Sequence, residues 1–405
     1  MIIKSLLDND FYKFTMMQAW WKLGMGETIA EYKFVDRNQT SYTKEQFLEI
    51  KSEIQNLEKL TFKEEELEYL KSLSAMDENF VEEELRNFKL QPSKFAVFNY
   101  DEKTGNIDIR FKGPLNQVSM FEIYSMAIIS EVFCSYDQNS NLVLAGADMH
   151  QKFKTLFPKN GFNLVDFGTR RRFSRKWQED VVTFLQESPF FVGTSNVYLS
   201  KKINKKPVGT MAHEWFQTHQ GFYKLEESQT QALLNWDKVY PNGELGVALT
   251  DIFNMNVFSK DFSSNSHFSN VYSGLRHDSG DPLEWASKAI KLFLERSNTL
   301  EGKSLVFSDG LNIEKALEIQ SSLEDENGNL PIKVIFGIGT KLTNNVGAKA
   351  PNIVIKNIMT NNKPTVKISD EPGKTICEDQ DYINMVKKYI KKEEQKIEKK
   401  RRIKP

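Results

Sequence analysis

The sequence predicts an α/β fold in which a parallel β/α barrel of about seven strands stands beside an α+β layer drawn from the two ends of the chain. Three observations lead there. From about residue 141, short β-prone runs alternate with helical patterns, the rhythm of parallel strands joined by crossover helices. The runs end in Gly, Thr, Ser or Asp, so polar chemistry collects at strand carboxyl ends, the face on which closed parallel barrels place their sites. After Gly347 the rhythm stops. An open doubly wound sheet is the alternative, since it too binds ligands at the carboxyl ends of its strands.

The elements follow in order. Met1 to Leu7 is largely apolar, but Asp8 and Asp10 interrupt it too early for a signal peptide or a membrane span. Between residues 44 and 89, Glu and Lys are interleaved with Phe47, Ile50, Ile54 and Leu57 at helical spacing, which predicts exposed amphipathic helices. Phe95 to Tyr100 and Ile107 to Phe111 flank the turn-rich Asp101-Glu102-Lys103-Thr104-Gly105 and predict a hairpin, with a long helix over Leu115 to Phe133. Barrel strands are predicted at Asn163 to Phe167, Phe191 to Gly193, Pro207 to Met211, Gly246 to Thr250, Val271 to Leu275, Ser304 to Phe307 and Lys333 to Phe336. Ile353 to Ile358 and Pro364 to Ile368 predict two further strands around Asn361-Asn362-Lys363, and a helix closes the chain. The expected organisation is a first domain over residues 1–140, a barrel over 141–347, and a segment over 348–405 that returns to the first domain.

At 405 residues the chain can bury a substantial core, and its formal net charge of −1 gives no basic excess to attract nucleic acid. Cys134 and Cys377 are too few for a disulfide scaffold and lack metal-ligand spacing, which fits a reducing, cytoplasmic setting. Lysine and arginine dominate from Lys387 onward. A frayed, solvated helix and tail is expected there, with attraction to nucleic acid or membrane as the lesser reading; neither partner is expected.

Candidate chemistry sits at the strand ends. In Gly209-Thr210-Met211-Ala212-His213-Glu214-Trp215 a histidine follows a short apolar run, with a carboxylate beside it. An imidazole so placed can accept a phosphoryl group if a neighbour fixes its tautomer, or it can simply cap a helix. Arg276-His277-Asp278-Ser279-Gly280-Asp281-Pro282 packs two carboxylates, a cation and a hydroxyl into one turn. That set suits the vicinal hydroxyls of a sugar or a hydrated magnesium ion on a polyphosphate, while Asp281 also stands where a helix cap would. Gly337-Ile338-Gly339-Thr340 can cradle a phosphate through backbone N–H groups and the Thr340 hydroxyl, without the spacing of a Walker A loop. Gly168-Thr169-Arg170-Arg171-Arg172 places three cations after Phe167, whose ring can stack on a flat aromatic ligand; at least one arginine is expected on the surface of the following helix. Asp8 to Met16 mixes polar and aromatic residues that can merely anchor the N-terminus.

In this order the motifs closely resemble the nicotinate phosphoribosyltransferase family. The residues that carry the resemblance are Asp8-Asn9-Asp10-Phe11-Tyr12-Lys13, Phe167-Gly168-Thr169-Arg170-Arg171, Gly193-Thr194-Ser195-Asn196, Gly209 to Glu214, Arg276 to Pro282, Ser308-Asp309-Gly310-Leu311-Asn312 and Phe336 to Thr340. The resemblance spans nearly the whole chain. It implies an irregular α/β barrel beside an α/β sandwich built from both chain ends, and a homodimer whose sites are shared across the interface. It also implies a reaction of NAD biosynthesis by salvage: nicotinate and phosphoribosyl pyrophosphate give nicotinate mononucleotide and pyrophosphate, with ATP as co-substrate hydrolysed through transient phosphorylation of His213.

The same resemblance assigns roles. His213, Glu214 and Asp278 are the catalytic candidates. Tyr12 and Phe167 would sandwich the pyridine ring, Tyr12 reaching from the partner subunit, and Arg170 would meet the nicotinate carboxylate or the phosphates. Thr194 and Ser195 mark the base-recognition strand. Arg276, Asp278, Ser279 and Asp281 would hold the ribose, with Asp278 and Asp281 also on Mg²⁺. Gly337, Gly339 and Thr340 would bind the 5′-phosphate, and Asp309 and Gly310 complete the substrate-binding set. Nicotinamide phosphoribosyltransferases carry an aspartate where this chain has Ser195; a carboxylate there would repel nicotinate, so serine favours it. A nicotinamide-using enzyme, a quinolinate phosphoribosyltransferase and a non-catalytic nucleotide-binding protein of the same fold are the alternatives.

Overall fold

The computed structural model describes residues 1–156, 159–368 and 375–403. Its strands in chain order are β1 (Ile29–Asp36), β2 (Ala96–Tyr100), β3 (Ile107–Pro114), β4 (Leu164–Asp166), β5 (Phe191–Thr194), β6 (Val247–Leu249), β7 (Gly274–His277), β8 (Ser304–Phe307), β9 (Lys333–Ile338), β10 (Ile353–Thr360) and β11 (Lys363–Pro364).

Period-two alternation builds the first sheet. Ala30, Tyr32 and Phe34 turn one face of β1 into the core, and β1 pairs antiparallel with β3 on one side and β10 on the other. The order β11-β10-β1-β3-β2 therefore joins strands from both ends of the chain. The β2–β3 hairpin forms as predicted, closing around Gly105 at φ +71°, where an added Cβ would strike Ser41 Oγ. β1 was not among the predicted strands. β10 runs on to Thr360, and the strand expected over Pro364 to Ile368 shrinks to Lys363–Pro364 after a turn in which Asn361 and Asn362 both have positive φ.

The second sheet is parallel, in the order β5-β4-β9-β8-β7-β6, with β8 buried along its whole length. It has six strands; Pro207 to Met211, predicted as a seventh, is not one. That segment instead bridges the two edge strands: Val208 N–H donates to Thr194 O of β5 (2.9 Å), and Thr210 Oγ1 donates to Val247 O of β6 (2.8 Å). A full ladder fails because Pro207 has no N–H and because Thr210 O is taken by Thr15 Oγ1 (2.6 Å) from the helix Phe11–Lys22. The irregular barrel is thus closed by a stave without a ladder. The strand predicted over Val271 to Leu275 begins later, at Gly274, because Val271 ends the short helix Phe268–Val271.

Helices cover both sheets. Leu115–Ser135 is apolar and long enough to cross a membrane, but most of its apolar stretch is buried inside the protein. Phe47, Ile50, Ile54 and Leu57 are buried as their spacing predicts. The closing helix, Gln380–Ile403, is less solvated than expected: Ile383, Val386, Tyr389 and Ile390 are buried, Lys260 Nζ meets Glu393 (2.8 Å), and Asn254 donates to Glu394 (3.0 Å). Basic residues on its outer face concealed this apolar stripe.

The surface arginine expected on the following helix is not found, because that helix begins only at Arg175; Arg170 and Arg171 are half-buried, and the third of the set is Arg172. It is fully buried, holding Asp8 through two hydrogen bonds (2.6 and 2.9 Å) and Glu131 through a third (2.8 Å). This pins the N-terminus to the barrel. Removing the guanidinium strands two carboxylates in a low-dielectric interior, so Arg172→Met is expected to cost about 3–5 kcal/mol. The check is urea denaturation of the full chain, with a clear fall in the unfolding midpoint.

Candidate active site

The carboxyl ends of β4, β7, β8 and β9 open into a cavity of about 1030 Å³, roofed by β10 and the end of β1. Phe167, Gly168, Arg170 and Arg171 follow β4; Arg276 and Asp278 come from β7 and the turn after it; Ser308, Asp309 and Gly310 follow β8; and Gly339 and Thr340 follow β9. A smaller recess leads inward from it. The two share Arg170, His213, Gln217, Arg276, Asp278 and Lys356, and the recess adds Tyr12, Tyr32, Glu122 and Glu214.

His213 is the first residue of the helix His213–Phe222, after Ala212 in extended conformation. Its Nε2 lies 2.7 Å from Asp251 Oδ1, and its Nδ1 lies 3.7 Å from Asp278 Oδ2. The other Asp251 oxygen accepts from Lys367 Nζ (2.6 Å) and Ser279 Oγ (2.7 Å). Burial opposes ionisation of Asp251, but His213 and Lys367 override it and hold the carboxyl well below its usual range. Asp278 is likewise held low against burial by Arg276, His213 and Lys367. Burial, reinforced by Lys367, pushes His213 below the ordinary imidazole value despite both aspartates. Its lowered pKa favours the neutral imidazole. With Nε2–H donated to Asp251, its lone pair resides on Nδ1, toward Asp278 and the cavity.

Glu214 does not stand free beside it. Its carboxylate is bonded to Lys13 Nζ and to the Tyr32 hydroxyl, and Lys13 also meets Glu122 at 2.7 Å. Burial raises the Glu214 carboxyl, with Glu122 adding to the rise, whereas Glu122 is drawn down by Lys13, Lys356 and Arg170 against its own burial. Glu214, expected among the catalytic residues, is accordingly placed as a fixed anchor for the histidine helix.

Tyr12 lines the recess of its own chain. Phe167 lies over Gly337: a Cβ there would sit 2.3 Å from the ring, and Gly337 therefore seats the aromatic rather than facing the cavity. Gly339 and Thr340 do face it. Arg276 approaches the Phe167 ring at 5.4 Å and also meets Asp278 (3.3 Å) and Ser308 (2.8 Å). Arg170 reaches Glu122 at 3.9 Å. Arg171 donates to Ile353 O, and burial beside Arg170 and Arg37 lowers its pKa to about 10.

Besides Gly337, four predicted residues are not gathered to the cavity wall. Asp281 is exposed and spent on capping the helix Pro282–Ser297, accepting from Leu283 N (3.0 Å) and Glu284 N (2.7 Å). Thr194 donates to Asp166 (2.7 Å), and Ser195 donates to Asp10 (2.8 Å), both in the buried interior. Ser279 acts through Asp251. In exchange, the structure adds Asp251, Ser308, Lys356 and Lys367. Asp251 was visible as the polar residue closing a predicted strand, and Lys356 as the one cation inside the apolar run Ile353 to Ile358. Burial pushes the Lys356 ammonium down to about 8, with Arg170 and Lys367 acting in the same direction.

A barrel mouth of this kind, roofed by a sheet from the opposite ends of the chain, has the architecture anticipated for a phosphoribosyltransferase. Residues 162–394 match the nicotinate phosphoribosyltransferase (NAPRTase) family, and residues 7–130 match the N-terminal domain of that family. The chain is 41% identical to the nicotinate phosphoribosyltransferase of Psychromonas ingrahamii, covering 94% of this chain and 93% of that relative. Its fold is similar to the crystal structures of nicotinate phosphoribosyltransferase from Vibrio cholerae (TM-score 0.88, 32% identity, 96% of this chain and 94% of that one) and Porphyromonas gingivalis (TM-score 0.86, 31% identity, 96% and 100%). The chain belongs to the nicotinate phosphoribosyltransferase family.

The seat of Phe167 is testable. Gly337→Ala forces the ring off its platform, since overpacking a tight contact costs about 1–3 kcal/mol. A tenfold or greater fall in kcat/KM for the aromatic base is expected from steady-state kinetics, with the protein still folded by circular dichroism.

Proposed function

We propose that this protein forms nicotinate mononucleotide and pyrophosphate from nicotinate and phosphoribosyl pyrophosphate, and that it couples the transfer to ATP hydrolysis through a phosphohistidine at His213. The observation that carries the coupling is the buried Lys367–Asp251–His213 chain at a helix N-terminus, which leaves Nδ1 as the nucleophilic nitrogen on the cavity side. Nδ1 attacks the γ-phosphorus, its lone pair forms the P–N bond, and the bond to the bridging oxygen breaks to release ADP. Water later displaces the imidazole, giving phosphate. In the transfer itself the pyridine nitrogen bonds to C1 of the ribose as the bond from C1 to the pyrophosphate oxygen breaks. No residue of the chain attacks the sugar; its residues hold the ring, the ribose and the charges.

Magnesium fits this cavity through hard carboxylate oxygens. Asp278, held ionised, and Asp309 lie on one wall, whereas both oxygens of Asp251 are already engaged and Asp281 is a helix cap. Bound there, Mg²⁺ would neutralise the pyrophosphate leaving group. Nicotinate is favoured over nicotinamide because Arg170 and Lys356 both face the recess that holds Tyr12. The two free cysteines and the burial of the apolar helix support a cytoplasmic setting.

Incubation with γ-labelled ATP should leave acid-labile label on the wild-type chain and none on His213→Ala; label retained on the variant would overturn the assignment. A pH profile adds a second check. Lys367 helps to depress the His213 pKa, so the rate of phosphorylation in wild type should fall only below the ordinary imidazole range. In Lys367→Met that cation is gone and Asp251 keeps only Ser279 besides His213, so the acid limb should move to higher pH.

A further inference from the structure

We propose that Lys356 selects the carboxylate of the base over a carboxamide, acting as its counter-ion in the recess beside Tyr12 and Arg170. This rests on the reaction proposed above and names the residue that sets its base specificity. Lys356 lies on β10, near the opposite end of the chain from Tyr12, and lines both the recess and the larger cavity. Among the described residues no hydrogen bond or ion pair reaches its ammonium, and Glu122 and Asp278 act on it only at longer range.

The carboxylates around it are already engaged. Lys13 lies between Glu122 and Glu214, Arg276 meets Asp278, and Arg170 leans toward Glu122. One cation is left over. A half-buried ammonium gains from an anion placed against it, and a carboxylate on a ring stacked near Tyr12 supplies one charge at that position. A carboxamide brings no charge and leaves the excess uncompensated, so discrimination arises from the recess. The larger cavity offers the phosphates other groups, at Gly339, Thr340 and Arg171.

Steady-state kinetics on the full chain tests this, using Lys356→Met, Lys356→Gln and Lys356→Arg with nicotinate and nicotinamide as competing bases. The two neutral variants should raise KM for nicotinate tenfold or more, equivalent to about 1.4 kcal/mol. KM for phosphoribosyl pyrophosphate and for ATP should stay within twofold, inhibition by nicotinamide should not weaken, and Lys356→Arg should recover most of the loss. An unmoved nicotinate KM in a folded neutral variant, or an equal rise in KM for either phosphate substrate, overturns the role of Lys356. A wild-type chain that makes no nicotinate mononucleotide counts against the proposed reaction instead.

Discussion

Much of this structure turns on one buried charge. Lys13 has no solvent exposure, and it meets Glu122 of the long core helix and Glu214 of the histidine helix, while Tyr32 of β1 donates to the same Glu214. Four elements converge there. A buried ion cluster is weak evidence for stability, because desolvation offsets most of its Coulombic gain. Its value here is positional. Tyr12 precedes Lys13 and His213 precedes Glu214, so a single ion pair fixes how far the recess aromatic stands from the imidazole.

The two sheets divide the chemistry. Turns at the barrel mouth present backbone and hydroxyl groups, together with carboxylates held ionised by neighbouring cations. The roof contributes Lys356 from β10 and Lys367 just beyond β11, and the charge of Lys367 reaches His213 through Asp251. The nucleophile is therefore tuned from outside its own sheet. Arg172 performs the complementary task below, where its bonds to Asp8 hold the N-terminal segment that carries Tyr12 and Lys13.

Sequence reading recovered what depends on local pattern. Strand-end motifs, the β2–β3 hairpin and the helical spacing of Phe47, Ile50, Ile54 and Leu57 are all set by periodicity and turn residues, and they appear where expected. What escaped was set by distant partners. Nothing within Pro207 to Met211 announces that Thr15 will take its carbonyl, and nothing around Arg172 distinguishes a buried clamp from a surface arginine. Ser195 sits in a recognisable motif, yet its hydroxyl is committed to Asp10, a residue 185 positions away. Asp281 was legible in both of its possible roles, and only three-dimensional placement chose the cap. The tail misled because a helix with a narrow apolar stripe has the composition of a solvated one.

The stave formed by Pro207 to Met211 has a consequence for how the chain is made. It closes the barrel only because the helix Phe11–Lys22 stands behind it, donating Thr15 Oγ1 to Thr210 O, while Phe11 N–H is donated to Ser195 O at 2.8 Å. Residues synthesised first must therefore wait for residues nearly 200 positions later before either finds its place, and the roof strand β10 arrives later still. Such long-range closure is slow to nucleate and leaves apolar surface open in the interval. The barrel segment is consequently not a unit that can be cut out and expected to close alone. Its seam belongs to the N-terminus, and a nascent chain released before β10 emerges would carry the histidine without Lys367, the lysine that tunes it.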